Sequence, residues 1–288
     1  MILITGATGQ LGNATINFLL SKVPEKEIAA LVRDEKKAAS LKSRGVEIRI
    51  GDYDNYDSLL KAFAGVDKLF FVSGNDVPNR LKQHRNVVDA AKQAGVGHIF
   101  YTSFTRKNES ATNPLGVLAS SHIETERLIK ESGLDYTIML NGLYADALPM
   151  FFGEKVLETG IVFPAGDGKA AFTSRLDIAE AAANLLTTEG HQNKIYEISN
   201  TENYSFADAA SILSELSGKA ISYSSPAPEA YAGTLSGAGV PVEFIQMFTA
   251  FAEAIKQGEF FSSTSDLQKI LGRQPVDLKG YLKTIFLN

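Results

Sequence analysis

The 288-residue chain contains no cysteine. Thiol catalysis, thiolate-ligated metals and disulfides are therefore excluded outright. It has no excess of positive charge either. The net charge of −5 gives no sign of the basic face that nucleic-acid binding needs, so no nucleic-acid partner is expected. No apolar run approaches the roughly 18–20 residues that span a bilayer, so no membrane span is expected. The opening Met1-Ile2-Leu3-Ile4-Thr5-Gly6 has no basic stretch followed by an apolar one; no secretory leader is expected, and the lack of cysteine fits a reducing cytoplasm. No cluster of His, Asp and Glu has metal-ligand spacing, so no metal is expected. There is no low-complexity tract.

What remains is an ordinary ordered globular composition, 44% hydrophobic and 21% charged. The length suits one main domain with a smaller appendage. Through the first half, short apolar runs alternate with helix-period segments. The runs are Ile2-Leu3-Ile4, Ile28 to Val32, Val46 to Ile50, Leu69 to Val72, Ile99-Phe100-Tyr101 and Tyr136 to Leu140. They are nearly continuous rather than alternating, as parallel strands buried on both faces require. Between them, helices are predicted over Gln10–Ser21, Glu35–Arg44, Ser58–Ala64, Arg80–Ala94 and 115–132, with glycine stops at Gly45, Gly65, Gly95 and Gly133. The series predicts an α/β fold, a doubly wound parallel sheet of the Rossmann type.

After about residue 145 the pattern changes. Segment 145–162 is apolar and aromatic, 163–175 reads as a loop or short strand, and 176–187 as a helix. One more strand is predicted at 195–198, and helices near 206–217, 229–237, 242–257 and 265–271. The predicted division is a dinucleotide-binding domain over 1–144 and a smaller, helix-rich substrate domain over 145–288 that returns the strand near 195–198 to the main sheet.

Thr5-Gly6-Ala7-Thr8-Gly9-Gln10-Leu11-Gly12 lies between the first strand and the first helix. Gly6 permits a tight turn, Gly9 lets backbone N–H groups approach a pyrophosphate, and Gly12 lets helix and strand pack closely. The helix N-terminus then faces the phosphates with free N–H groups. The spacing is G-x-x-G-x-x-G; the confirming context is the strand before it, the helix after it and the βα series beyond. No Gly-Lys-Ser/Thr closes the turn, which excludes a P-loop, and no second nucleotide fingerprint points to a flavin.

The tip of the second strand selects between dinucleotides. An NAD-preferring fold has an acid there for the ribose 2′-OH. Here Arg33 occupies the tip, followed by Asp34, Lys36 and Lys37. A guanidinium grips a 2′-phosphate bidentately, so NADP(H) is the expected cofactor. Asp34 is the competing feature, since a carboxylate pointing back serves NAD. Asp52, after the third strand, is placed either to bond the adenine amino group or to cap the helix that follows.

These residues resemble the NmrA-like group of atypical short-chain dehydrogenases/reductases, and within it the NADPH-dependent quinone oxidoreductases of type 2 and the triphenylmethane reductases. The resemblance also runs through Gly51-Asp52-Tyr53, Gln83 to Val88, Ala94-Gly95-Val96, Tyr101-Thr102-Ser103, His122 to Glu126 and Asn141-Gly142-Leu143-Tyr144. It continues through Ala165 to Lys169, Thr173-Ser174-Arg175 and Glu189-Gly190-His191. It implies a substrate cleft between an NADP-binding domain and a small C-terminal one. It further implies that Gly6 to Leu11 hold the pyrophosphate and Arg33 the 2′-phosphate. Ser73, Gly74 and Asn75 would line the ribose, and Asn141, Gly142, Leu143 and Tyr144 would lie near nicotinamide and substrate. Many relatives associate, so a homodimer is among the expectations. Two features depart from the wider pattern. The Tyr-x-x-x-Lys of most short-chain dehydrogenases is replaced by His122-Ile123-Glu124-Thr125-Glu126, and Leu140 stands where several relatives have Arg.

Without the Tyr–Lys pair, simple ketone chemistry is disfavoured, whereas a quinone tolerates the loss because its reduced anion takes protons from water. The candidate hydrogen-bond donors are Tyr144, Asn141, His122 and Ser103. Each has a plainer reading: Tyr144 as core, His122 as a surface pair with Glu126 one turn on, Ser103 as a cap. His84 reads as structural. Phe151, Phe152, Phe172 and Tyr231 are candidates to wall a flat acceptor, or core; Phe251, Phe260 and Phe261 read more strongly as core. The expected function is an NADPH-dependent reductase of a quinone-like small molecule. The alternative is a non-catalytic NADP(H) sensor, which binds the nucleotide without consuming it. An isomerase or epimerase is a third reading, disfavoured by the same missing pair.

Overall fold

The computed structural model describes residues 1–287. Seven parallel strands form the main sheet: β1 (Ile2–Ile4), β2 (Ile28–Val32), β3 (Glu47–Ile50), β4 (Lys68–Phe71), β5 (His98–Phe104), β6 (Asp135–Asn141) and, after three short strands, β10 (Lys194–Ile198). Their spatial order is β10-β6-β5-β4-β1-β2-β3. The order reverses between β1 and β4, so the crevice at their C-terminal ends is the expected ligand position of an open α/β sheet.

The apolar runs work because side chains alternate across each strand. Ile2 and Ile4 enter one core and Leu3 the other. The first core packs against α1 (Gln10–Leu19), the short α2 (Ala39–Lys42) and α8 (Arg175–Thr187). The second packs against α3 (Tyr56–Ala62), α4 (Arg80–Ala94) and α5 (Val117–Glu131). Burial on both faces holds for β1, β2 and β4–β5 but fails at the sheet edges. In β3 Ile50 is 51% exposed, and in β10 Ile195 is 45% exposed, because an outer strand lacks a neighbour on one side.

The second half builds a separate core. It contains α6 (Leu148–Phe152), α7 (Val156–Thr159), α9 (Phe206–Ser217), α10 (Pro228–Gly237) and α11 (Val242–Lys256). Two small parallel pairs tie it together: β7 (Leu143–Tyr144) with β9 (Phe172–Thr173), and β8 (Ile161–Val162) with β11 (Tyr223–Ser224). Phe163 is fully buried and stacks on Phe206 at 4.7 Å; burying a side chain of this size stabilises by about 1.5–3 kcal/mol. Beyond β10, α8 and α12 (Leu267–Leu271) also pack with the main sheet. Packing thus assigns them to the layers of the main sheet, although both lie beyond residue 145. A last helix, α13 (Leu278–Phe286), closes the second core with Leu278, Tyr281 and Leu282. Its N-cap is Asp277, whose carboxylate accepts the Gly280 N–H at 2.7 Å.

Candidate active site

The turn after β1 is held by its own backbone. Gly6 has φ +58°, and its carbonyl accepts the Gly9 N–H at 2.9 Å. A Cβ on Gly12 would stand 2.4 Å from that same oxygen, so no side chain fits there without moving the turn. Helix α1 then begins with no side-chain cap and no acid in its first turn. The N–H groups of Gln10, Leu11 and Gly12 have no helical partner, which is the arrangement that binds an anion.

Around this turn lies a cleft of about 800 Å³. Its walls are the C-terminal ends of β1, β2, β3 and β4, at the reversal point of the sheet. Of the expected cofactor residues, Gly6, Thr8, Gly9, Gln10, Leu11, Gly12, Arg33, Asp52, Ser73, Gly74, Asn75 and Tyr144 line it together. Ala7 is fully buried in the core beneath, and Ser103, Asn141, Gly142 and Leu143 are buried and do not line the cleft. Gly142 has a packing reason: a Cβ there would meet Thr173 Oγ1 at 2.7 Å and Ser199 Cβ at 2.8 Å.

Asp34 is occupied locally. Its carboxylate accepts the Lys36 N–H at 2.9 Å and caps the single turn Glu35–Ala38, while Arg33 faces the cleft. Asp52 does not cap α3, whose cap is Asn55 accepting the Ser58 N–H at 3.0 Å. Asp52 instead accepts the Asp54 N–H at 3.0 Å. Tyr53 reaches under the cleft, its hydroxyl donating to the Val72 carbonyl at 2.8 Å and touching the Thr5 hydroxyl.

The segment after β4 is fixed from below. The Ser73 N–H donates to Thr102 Oγ1 at 2.9 Å, and the Gly74 N–H donates to His84 Nε2 at 3.0 Å. A ring nitrogen that accepts carries no proton, so His84 donates through Nδ1 to Thr125 Oγ1 at 2.9 Å. Burial, with the Arg80 charge adding, lowers His84 to about 3, which keeps it in this neutral form. The Arg80 guanidinium donates to the Gly74 carbonyl at 2.7 Å. His84 is therefore a fastener for the loop that lines the cleft.

At the other end, Asn141 Nδ2–H donates to the Tyr144 hydroxyl oxygen at 3.2 Å, and the Arg175 guanidinium lies 4.8 Å from the centroid of the Tyr144 ring. Asn141 is fully buried, and its Oδ1 has no partner among the described residues. Burial raises the Tyr144 pKa, while the Asn141 bond and the Arg175 charge pull the other way. The net direction is up, so the phenol keeps its proton.

The place of the missing Tyr–Lys pair is filled by a buried polar cluster. His122 is 5% exposed, and its Nδ1 meets the Tyr101 hydroxyl at 2.6 Å. It is not a surface partner of Glu126. Glu126 is itself buried, accepting from Ser103 and from Arg106 Nη1 at 2.8 Å. Burial above all, with Arg80, His84 and Arg106 adding, drives His122 well below its usual value. Neither His122 nor Ser103 lines the cleft. Phe151, Phe152, Phe172 and Tyr231 are buried in the second core, packed tilted or edge-on against Phe163 and Phe206. Phe261, expected as core, is 39% exposed with the Lys107 ammonium over its ring at 4.7 Å. The cleft residues that pattern reading missed are chiefly Tyr53, Asp54, Asp76, Gln83 and Arg175.

A glycine turn on an uncapped helix, at the reversal point of a parallel sheet and with an arginine at the second strand tip, defines a dinucleotide-binding Rossmann protein. The chain belongs to the NmrA-like family, whose model matches residues 1–282. It is 37% identical over 287 residues to quinone oxidoreductase 2 of Escherichia coli strain K12, covering 99% of each chain. Its fold matches the crystal structure of Citrobacter sp. triphenylmethane reductase complexed with NADP(H), with a TM-score of 0.92, 41% identity and 99% of each chain covered. It also matches the NADPH-dependent quinone oxidoreductase of Escherichia coli complexed with NADPH, with a TM-score of 0.91, 36% identity, and 99% of this chain and 100% of that one covered. Among the described residues, no helix is long and apolar enough to cross a membrane.

Proposed function

We propose that the chain is an NADPH-dependent oxidoreductase that passes a hydride to a quinone or a similar flat conjugated acceptor. The observation that carries this reading is the single cleft that joins the glycine turn, Arg33 and the Tyr144 phenol. The residues fit the cofactor: the free N–H groups of the glycine turn and the α1 N-terminus suit a diphosphate, and Arg33 suits a 2′-phosphate. When bound, the reduced dinucleotide supplies the hydride, and the protein supplies orientation and electrostatics. Tyr144 would donate a hydrogen bond to the acceptor oxygen that gains charge. Asn141 would hold Tyr144 in place from behind. His122 ranks below Tyr144, because it is buried against Tyr101 and does not line the cleft. The full-length likeness to named reductases favours catalysis over the sensor reading. A cytoplasmic homodimer belongs to the same proposal and rests on the resemblance and on the absence of cysteine.

The test is to add NADPH or NADH to the purified protein with a benzoquinone and follow nicotinamide absorbance against a protein-free control. Protein-dependent loss with NADPH and little with NADH is the expected result. Tight NADPH binding with no turnover on quinones or triphenylmethane dyes would shift the reading to a sensor.

A further inference from the structure

Among the described residues lining the cleft, two carry positive charge, Arg33 and Arg175, beside Asp52, Asp54 and Asp76. Arg33, at the strand tip, answers to a 2′-phosphate. The dinucleotide has a second anionic group, its diphosphate, and the glycine turn facing it offers N–H dipoles but no cation. Arg175 stands at that turn. Its guanidinium donates to the side-chain carbonyl of Gln10, the first residue of α1. It is kept there by the Tyr144 ring and by Asp146, whose carboxylate lies 3.3 Å from Nη1 and accepts the Arg175 backbone N–H at 2.9 Å. Both side-chain contacts use Nη1, which leaves Nη2 and Nε for a ligand. Gln10 is a neutral acceptor, and a diphosphate oxygen competes better for the same guanidinium.

We propose that Arg175 is a cofactor-binding residue that holds the diphosphate, so that the second half of the chain supplies one of the cleft's two phosphate clamps. The proposal rests on the reading of the cleft as an NADP(H) site. It divides the labour between the arginines: Arg33 discriminates NADPH from NADH, whereas Arg175 acts on both alike because both carry the diphosphate.

The experiment is titration of NADPH and NADH into wild-type protein, Arg175→Met and Arg175→Lys by calorimetry, with melting temperature recorded without nucleotide. Methionine keeps the stem over Tyr144 and removes charge and donors. Both affinities are expected to fall by the same factor, roughly ten- to a hundredfold, with lysine recovering most of the loss and the nucleotide-free melting temperature little changed. Unchanged affinities in Arg175→Met, or a loss confined to NADPH, would overturn the proposal. If Arg175→Met does not fold, Arg175→Lys and the salt dependence of NADH binding decide. An NADH affinity that does not weaken with salt in the wild-type protein, or that collapses in the lysine variant, would overturn it. Failure of wild-type protein to bind either nucleotide would instead overturn the reading of the cleft.

Discussion

Asn141 donates a hydrogen bond to the oxygen of Tyr144 from a fully buried position, which leaves the phenol's own proton free for another acceptor. Tyr144 lines the cleft and Asn141 does not. In the proposed mechanism Tyr144 would offer the proton toward a ligand, and Asn141 would set its direction.

Tyr144→Phe should lower kcat with a quinone by about tenfold, below the hundredfold or more lost with a strong oxyanion donor, because a reduced quinone anion is already stable. NADPH affinity should change little. Steady-state kinetics together with a binding titration separates the two effects, and unchanged turnover would remove Tyr144 from the mechanism.

Arg33→Ala should weaken NADPH binding by roughly ten- to a hundredfold, the worth of charge-assisted hydrogen bonds to a phosphate, and leave NADH binding nearly unaltered. Asp34 is engaged with the Lys36 N–H, so it does not compensate. Equal loss for both nucleotides would refute the assignment.

Gly12→Ala places a methyl group 2.4 Å from the Gly6 carbonyl oxygen. The turn and α1 must move apart, at about 1–3 kcal/mol for overpacking. A lower melting temperature and a lost nucleotide affinity are expected together. A variant that melts and binds as the wild type does would show that the turn is looser than its contacts imply.

Acid should destabilise the fold through its buried histidines. Burial lowers His84 to about 3 and His98 to about 4, and drives His122 well below its ordinary value. The unfolded chain takes up these protons below about pH 6.5, while the folded chain resists until near the lowered values. Stability is therefore full above about pH 6.5 and is lost as pH falls toward 4 and 3, at up to about 1.4 kcal/mol per pH unit for each histidine. Urea unfolding between pH 7 and pH 4.5 checks the sign, and His84→Gln should flatten the slope by about one proton.

The strand and helix series was legible because buried parallel strands need continuous apolar runs, and glycines end the helices between them. Helix α4 spans Arg80–Ala94 as its pattern predicts. The place of the glycine turn and of Arg33 in the cleft was legible because it depends on local spacing. The rest of the cleft was not, for a physical reason. Gln83 reaches it from one face of α4, by way of Asp54 and Asp76, and Arg175 arrives from the first turn of α8. Both depend on packing between elements distant in sequence. Phe151 and Tyr231 read from sequence either as walls for a flat acceptor or as core, since an aromatic that suits a flat ligand suits a buried aromatic cluster equally well; the structure puts both in the core.

The most direct test of hydride transfer from this cleft uses NADPH deuterated at C4 on one face or the other, oxidised by a benzoquinone in the presence of the protein. The mass of the recovered NADP⁺ is then measured. A fixed cofactor pose predicts that one labelled isomer loses its deuterium completely and the other retains it. Loss from both faces alike, or no protein-dependent NADP⁺ from either, would contradict the account.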